Sequence, residues 1–484
     1  MVINDSTTFQ SIISHAKEYG FVFPSSEIYD GLSAVYDYGP WGSELKRNIR
    51  DAWWNEMTRM HDNIVGIDSA IFMHPTTWKA SGHVDNFSDP MIDNKDSQKR
   101  YRVDHLIEGF ADELARNGKQ EKAEHLLALM DRLLAANDLD GIKVLIEMEK
   151  IPCPVSGTVN WTDVRQFNLM FSTQLGSIAE ESDLIYLRPE TAQGIFVNFL
   201  NVQKTARMKI PFGIAQVGKA FRNEIVARQF IFRMREFEQM EMQFFIRPGT
   251  QKEWYDYWKQ ERMKWHLSFG IPAESYRYHD HTKLAHYADA AVDIEFLFPI
   301  GWKEVEGIHS RTDFDLSSHQ KYSGKKMQYF DPEINQNYVP YVIETSIGLD
   351  RMFLLTICHA YKEEKWVKED GSEDSRVVLR LPATLAPIKL AVLPLTKKDG
   401  LPEIARNIIS TCREDFYCFY EEKDSIGKRY RRMDALGTPF CVTVDHQTKE
   451  DHTVTIRYRD TMLQERIPID AIRDIVGKQV RIQR

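Results

Sequence analysis

The sequence predicts an α+β protein: an antiparallel sheet flanked by helices, broken by a helical insertion and followed by a C-terminal α/β module. Three observations predict it. Residues Gly213 to Phe245 alternate and are dense in Ile, Val and Phe, the composition of antiparallel strands. From His105 to Lys150 the chain turns to Ala, Leu and charge, with Leu126, Leu127, Met130, Leu133 and Leu134 on one helical face. After Leu381-Pro382-Ala383-Thr384-Leu385-Ala386-Pro387 a new apolar strand opens at Ile388 to Leu393, and helices then mix with strands.

At 484 residues the chain has room for two or three domains. It is 43% hydrophobic and 27% charged, and no apolar run approaches the roughly 18 residues that cross a bilayer, so a membrane protein is not expected. Met1 to Gln10 is polar and lacks the basic and apolar regions of an export signal. The five cysteines are scattered without a C-x-x-C pair, which predicts reduced thiols, a cytoplasmic protein and no structural zinc. The net charge of -9 is uneven; Ala386 to Arg484 carries roughly +3, so that module is compatible with nucleic acid.

Along the chain, the turn-rich Val35 to Gly42 leads into Glu44 to Met60, where Leu45, Ile49, Trp53 and Met57 recur at helical spacing. The insertion ends at Ile151-Pro152-Cys153-Pro154, where proline forces extended backbone. Two strands joined through Ile225 to Gln229 are followed by a helix over Gln251 to Phe269 and strands over Val292 to Phe298 and Trp302 to Phe314. Tyr341 to Glu344 reads as a strand, Gly348 as a turn, Leu349 to Tyr361 as a helix and Lys362 to Ser375 as a charged linker.

The chemistry concentrates on the hairpin. Side-chain alternation puts Arg222 and Glu224 on one face, and Arg233, Arg235, Phe237, Gln239 and Glu241 on one face of the returning strand. Arginine forks suit phosphate oxygens, a phenylalanine ring suits a stacked purine, and a glutamate accepts from an adenine amino group. Those residues describe a nucleotide site. The same pattern also suits a solvated sheet face laced with ion pairs.

Phe221-Arg222-Asn223-Glu224, a short loop, and then Phe232-Arg233-Met234-Arg235-Glu236-Phe237-Glu238-Gln239-Met240-Glu241 resemble motif 2 of class II aminoacyl-tRNA synthetases. Glu344-Thr345-Ser346-Ile347-Gly348-Leu349-Asp350-Arg351 resembles motif 3, and Asp37-Tyr38-Gly39-Pro40 with its helix resembles motif 1. Arg188-Pro189-Glu190-Thr191-Ala192-Gln193-Gly194-Ile195-Phe196 is similar to the glycyl members of that class.

The resemblance implies catalytic roles for Arg222, on the α-phosphate, and Arg351, on the outer phosphates. It implies an ATP site of Arg222, Asn223, Glu224, Phe232 to Phe237, Glu304, Val305 and Gly348 to Arg351. Glu304 is the implied magnesium contact, formed with ATP only, and Glu306 is expected on the same strand face. The implied glycine site is Arg102, Glu190, Phe237, Glu238, Gln239, Met240, Glu241, Glu344, Thr345, Ser346, Ile347 and Gly348. Arg100 competes with Arg102 for the substrate carboxylate. Thr345 and Ile347 stand where many members carry proline and a small residue, so a reshaped pocket wall is expected.

By the same resemblance, residues 1–104 and 151–380 form a catalytic domain, 105–150 an insertion and 386–484 an anticodon-binding domain. The implied partners are glycine, ATP, tRNA(Gly) and a second copy of the chain. The basic run Gly427 to Arg432 is expected to face tRNA bases. Two rivals are an accessory protein that keeps the fold without catalysis and a class II enzyme for another amino acid. Arg222, Glu224 and Arg351 oppose the first, and the Glu190 string with Glu344 opposes the second.

Overall fold

The structure, a computed structural model, describes residues 6–176, 184–224, 229–282, 284–285, 287–367 and 371–480. It divides into two compact units, one of Met1–Ala70, Glu190–Ala220 and Gln229–Arg484, the other of Ile71–Pro189 and Phe221–Arg228.

The first unit is built on a seven-stranded sheet. Its strands are β1 (Ile64–Gly66), β2 (Phe212–Phe221), β3 (Glu236–Ile246), β4 (Tyr276–Asp280), β5 (Ala290–Phe298), β6 (Gly301–Thr312) and β7 (Tyr341–Gly348), in spatial order β4-β5-β6-β7-β3-β2-β1. The pairings from β4 through to β3 are antiparallel, whereas β1 joins β2 in parallel. The expected strands are present, and the loop placed at Ile225 to Gln229 lies, Gln229 apart, outside the described residues.

One sheet face carries Met240, Met242, Ile308 and Ile347 into an apolar cluster with α1 (Pro40–Arg59), α2 (Gln251–Leu267) and α3 (Leu349–Ala360). Burial of this continuous apolar face supplies most of the drive for the layer to form. α1 sits so close to the preceding chain that a Cβ on Gly42 would fall 1.8 Å from the Phe21 carbonyl oxygen. At one end of the opposite face, the short helix Ala192–Val197 packs on Phe212, Ile214, Phe245 and Val342.

The C-terminal part holds a five-stranded sheet, Cys418–Tyr420, Leu390–Pro394, Phe440–Val444, Thr453–Tyr458 and Gln464–Pro468 in that order. Its first three strands are parallel and the last two antiparallel. It does not stand apart. Met433 and Leu436 of α4 (Ile426–Leu436), with Cys441, belong to the same apolar cluster as α1 and α3. Asn48 of α1 donates to the carbonyls of Leu385 and Ala386, both at 3.1 Å.

One expectation fails here. Lys362 to Ser375 is not a free linker: Tyr361–Val367 pairs antiparallel with Glu373–Leu379. Alternation explains it, since Arg376 and Val378 turn inward while Glu363 and Lys365 face water. The basic run is largely spent within the chain. Arg429 is buried and donates to the carbonyls of Pro394 and Glu421 at 2.8 and 3.0 Å, Arg431 pairs with Asp374, and Arg432 with Glu421 and Asp424.

In the second unit, a sheet of Lys99–Arg102, Ser88–Asn94 and Arg165–Asn168 shares a core with helices Val103–Arg116, Gln120–Ala135 and Leu139–Met148. Ile92 and Trp161 lie in that core beside Leu126 and Met130. The helical stretch thus needs strands on both sides of it in sequence to cover its apolar stripe.

Candidate active site

β7 lies between β6 and β3, and the register brings one face together: Glu241 opposite Ser346, Gln243 opposite Glu344, His309 opposite Glu344 and Gly307 opposite Ser346. Glu190, Thr191 and Gln193 reach this face from the start of the Ala192–Val197 helix. The result is a buried carboxylate cluster on a sheet face.

Two different environments divide the cluster. Glu344 accepts from Arg311 Nη1 at 2.9 Å and from Gln243 at 2.8 Å, and meets His309 Nδ1 at 3.0 Å. Burial disfavours its charge, but Arg311 and His309 outweigh burial and hold the carboxyl well below its usual range. Arg311 in turn grips Asp315 through two bonds, of 2.8 and 3.0 Å. Gln193 links the parts, donating to Glu190 and Asp315, both at 2.9 Å, while His319 meets its side-chain oxygen at 2.8 Å.

Among the described residues Glu241 has no such cation. Thr191 donates its hydroxyl to it, and the Gln239 amide lies at 3.4 Å. Burial, then the nearby Glu344 and Glu190, push this carboxyl up to about 8. The side-chain oxygens of Gln239 and Gln243 are buried without a hydrogen-bond partner among the described residues. A cluster of carboxylates with spare acceptors is suited to a small cation with several N–H donors.

Several expected contacts point the other way. Met240 and Ile347 lie in the apolar cluster beneath the helices, and Thr345 is buried on the same strand face as Ile347. Alternation is the cause: Glu344 and Ser346 face the carboxylates, so Thr345 and Ile347 cannot. The replaced residues therefore alter the core rather than a pocket wall. Glu238 and Asp350 are also turned inward, where Lys46 of α1 lies 2.8 Å from each. Asp350 further accepts from Tyr38 and from the Glu238 amide.

At the start of α3, Arg351 pairs with Glu304 at 3.0 Å, and its guanidinium lies 4.5 Å from the Phe232 ring centre. Gly348 has φ of -73°, so no left-handed turn requires it; a Cβ there would touch the Arg351 stem at 3.4 Å. Leu349, Val305 and Met234 are buried. Glu304 and Glu306 do not share a face. The β5–β6 register slips between them, pairing Ile294 with Glu306 but Glu295 with Glu304, so a bulge at Val305 reverses the alternation. Glu306 is buried on Arg262 and His266 of α2, at 2.6 and 2.8 Å, while Glu304 is half exposed.

The expected strand face from Arg233 onward is also shorter, because β3 begins only at Glu236. Arg233 ends a single 3-10 turn, Arg235 binds the Ser33 and Ala34 carbonyl region at 3.1 and 2.9 Å, and Glu236 pairs with Lys219 at 2.5 Å. Phe237, Gln239 and Glu241 do alternate on β3, with Phe237 partly buried.

Arg222, Asn223, Glu224 and Arg102 belong to the second unit. β2 ends at Phe221, so Arg222 and Glu224 are not strand residues. Arg222 donates to the Pro189 carbonyl at 3.0 Å with its guanidinium 5.5 Å from the Phe87 ring, and the Asn223 amide donates to the Leu169 carbonyl at 2.8 Å. Arg102 is held by Asp104 at 2.9 Å and by Asp89 at 3.5 Å, whereas Arg100 is spent on Asp93.

Sequence reasoning assigned no role to His309, Arg311, Gln193, Asp315 or Gln243. A signal existed in part: Gly307, His309 and Arg311 alternate on the strand that carries Glu304, and Gln243 follows Glu241 by two.

This sheet, with its motif-bearing hairpin and arginine-led helix, is the architecture of a class II synthetase core. A family model described as tRNA synthetase class II core domain (G, H, P, S and T) matches residues 171–360. The model Glycyl-tRNA synthetase insertion domain 1 matches 89–125 and 117–169, and Anticodon binding domain matches 389–479. A protein named Glycine--tRNA ligase from Chlorobaculum tepidum is 55% identical over 94% of this chain and 96% of its own length. Proteins of that name from Treponema denticola and Staphylococcus haemolyticus are 52% and 50% identical, over 95% and 97% of this chain and 94% and 98% of their own. The chain belongs to the glycine--tRNA ligase family.

Proposed function

We propose that the chain joins glycine to ATP, giving glycyl-adenylate and pyrophosphate, and then transfers glycine to the 3′ end of tRNA(Gly). The observation that carries this reading is the buried pair Glu241 and Glu344, with the partly buried Glu190 and a Gln239 oxygen that has no hydrogen-bond partner among the described residues. An ammonium group brings to this set a positive charge and three N–H donors. Glycine offers nothing but its charged ends for recognition, so affinity must come from such contacts, and larger amino acids are refused by their side chains.

Arg222 binds the α-phosphate and Arg351 the outer phosphates, Phe237 stacks on adenine and Glu224 accepts from it. The Arg351 guanidinium exchanges part of its present contact with Glu304 for phosphate oxygens. Arg102 meets the glycine carboxylate. The exposed Glu304 carboxylate fits a magnesium ion whose other ligands are phosphate oxygens and water. Bound there, that ion neutralises polyphosphate charge. Attack of the glycine carboxylate on the α-phosphorus then needs in-line placement and fixed positive charge, with no protein nucleophile.

Residues 1–104 with 151–380 act as the catalytic domain, 105–150 as the insertion and 386–484 as the anticodon-binding domain. Two chains pair through the motif 1 region, a reading supported by the exposure of Ile28, Tyr29 and Leu32 in the segment just before it, at 87%, 80% and 57%. The protein works in the cytoplasm; among the described residues no helix is long and apolar enough to cross a membrane. Glycine-dependent exchange of labelled pyrophosphate into ATP tests the chemistry. Folded protein with magnesium that shows no exchange overturns it.

A further inference from the structure

The three carboxylates are not equivalent, and their partners say which one carries a proton. Glu344 is offset by Arg311 and faced by His309. Glu241 receives only neutral groups, the Thr191 hydroxyl and the Gln239 amide, with Ser346 opposite it across the strands. Among the described residues, the groups that face the pocket from each packed element are Glu344 on β7, His309 and Arg311 on β6, Tyr287 with its ring centre 4.0 Å from the Arg311 guanidinium, Glu190 before the short helix, and Asp315 and His319 beyond Gln193. Arg311 is already divided between Asp315 and Glu344. No cation remains for Glu241 among its described partners.

We infer that binding of glycine at this site releases a proton from Glu241 to solvent, and that Arg311 and His309 are positioning residues that keep Glu344 ionised throughout. This rests on the proposed reading of the trio as the ammonium site. In the empty site Glu241 is a neutral acid, because a buried negative charge without a counter-ion, beside those of Glu344 and Glu190, is too costly. The incoming ammonium supplies that counter-ion. The carboxyl O–H bond breaks, the proton leaves to water, and the carboxylate accepts from the ammonium in its place. A carboxyl held up to about 8 is nine-tenths protonated near pH 7, so about 0.9 proton should leave per glycine bound there, falling toward zero above pH 9.

The test is titration of the full-length protein with glycine by calorimetry at pH 7, in two buffers of different ionisation enthalpy, which counts protons directly. The expected count is about one, with glycine KM in pyrophosphate exchange falling up to about tenfold per pH unit between pH 6 and 7.5. Glycine binding with no proton released overturns the coupling alone. Absence of both binding and exchange removes the glycine reading and this inference with it. Two variants locate the proton. Glu241→Gln should lose the pH slope of KM, while His309→Asn should keep it; the opposite pattern places the proton on His309 and overturns the assignment. Should Glu241→Gln fail to fold, Thr191→Val serves, because loss of a donor to the carboxylate moves the midpoint of proton release to higher pH, restored by Thr191→Ser. An unmoved midpoint overturns the assignment.

Discussion

Arg311 is the residue on which the carboxylate cluster turns. It spans Asp315 and Glu344, and all three are buried. Arg311→Met removes the arginine that two buried carboxylates share, and breaking such a pair from one side costs about 3–5 kcal/mol. Unfolding by denaturant should show that loss at neutral pH, and glycine KM should rise. The sign with pH follows from the depressed Glu344 carboxyl. Its contribution is complete above the unfolded value of 4.5 and disappears as pH falls toward about 2. The gap between wild type and variant should therefore narrow in acid.

Glu241, Glu344 and Ser346 could be named from sequence because each lies in a local string that resembles the glycyl members of the class. His309 could not, since its meaning comes from a neighbour 35 positions away across two strands.

At the level of elements, the hairpin Tyr361–Leu379 shows what charge composition conceals. Its Arg376 is buried, pairs with Asp434 of α4 at 2.8 Å and lies 58 positions from it. Asp434 is also gripped by Arg457 through bonds of 2.7 and 2.9 Å. A run of charges reads as a linker until that distant carboxylate is known. Asp434→Asn should take from the buried Arg457 the carboxylate it pairs with and leave Arg376 to Glu364, destabilising the C-terminal part by about 3–5 kcal/mol. Hydrogen exchange over Ile426–Leu436 and the Glu373–Leu379 strand reads that loss locally, and unchanged protection there would contradict it. The bulge at Val305 was equally hidden, because register is a property of two strands and a sequence shows one.

For the molecule as a whole, the pairing of two chains is open to direct measurement. Sedimentation should give a dimer, and Tyr29→Lys with Ile28→Asp should shift it toward monomer while leaving α1 intact, since both residues are exposed outside that helix. The helix α4 and Cys441 sit in one apolar cluster with α1 and α3, and His15 contacts the Ala435 carbonyl at 2.8 Å. That shared interior has an evolutionary consequence. The module assigned to anticodon reading cannot be exchanged between proteins like a cassette, because a graft cut near Pro387 would inherit part of a core shaped for another partner, and compensating changes on α1 and α3 would have to travel with it.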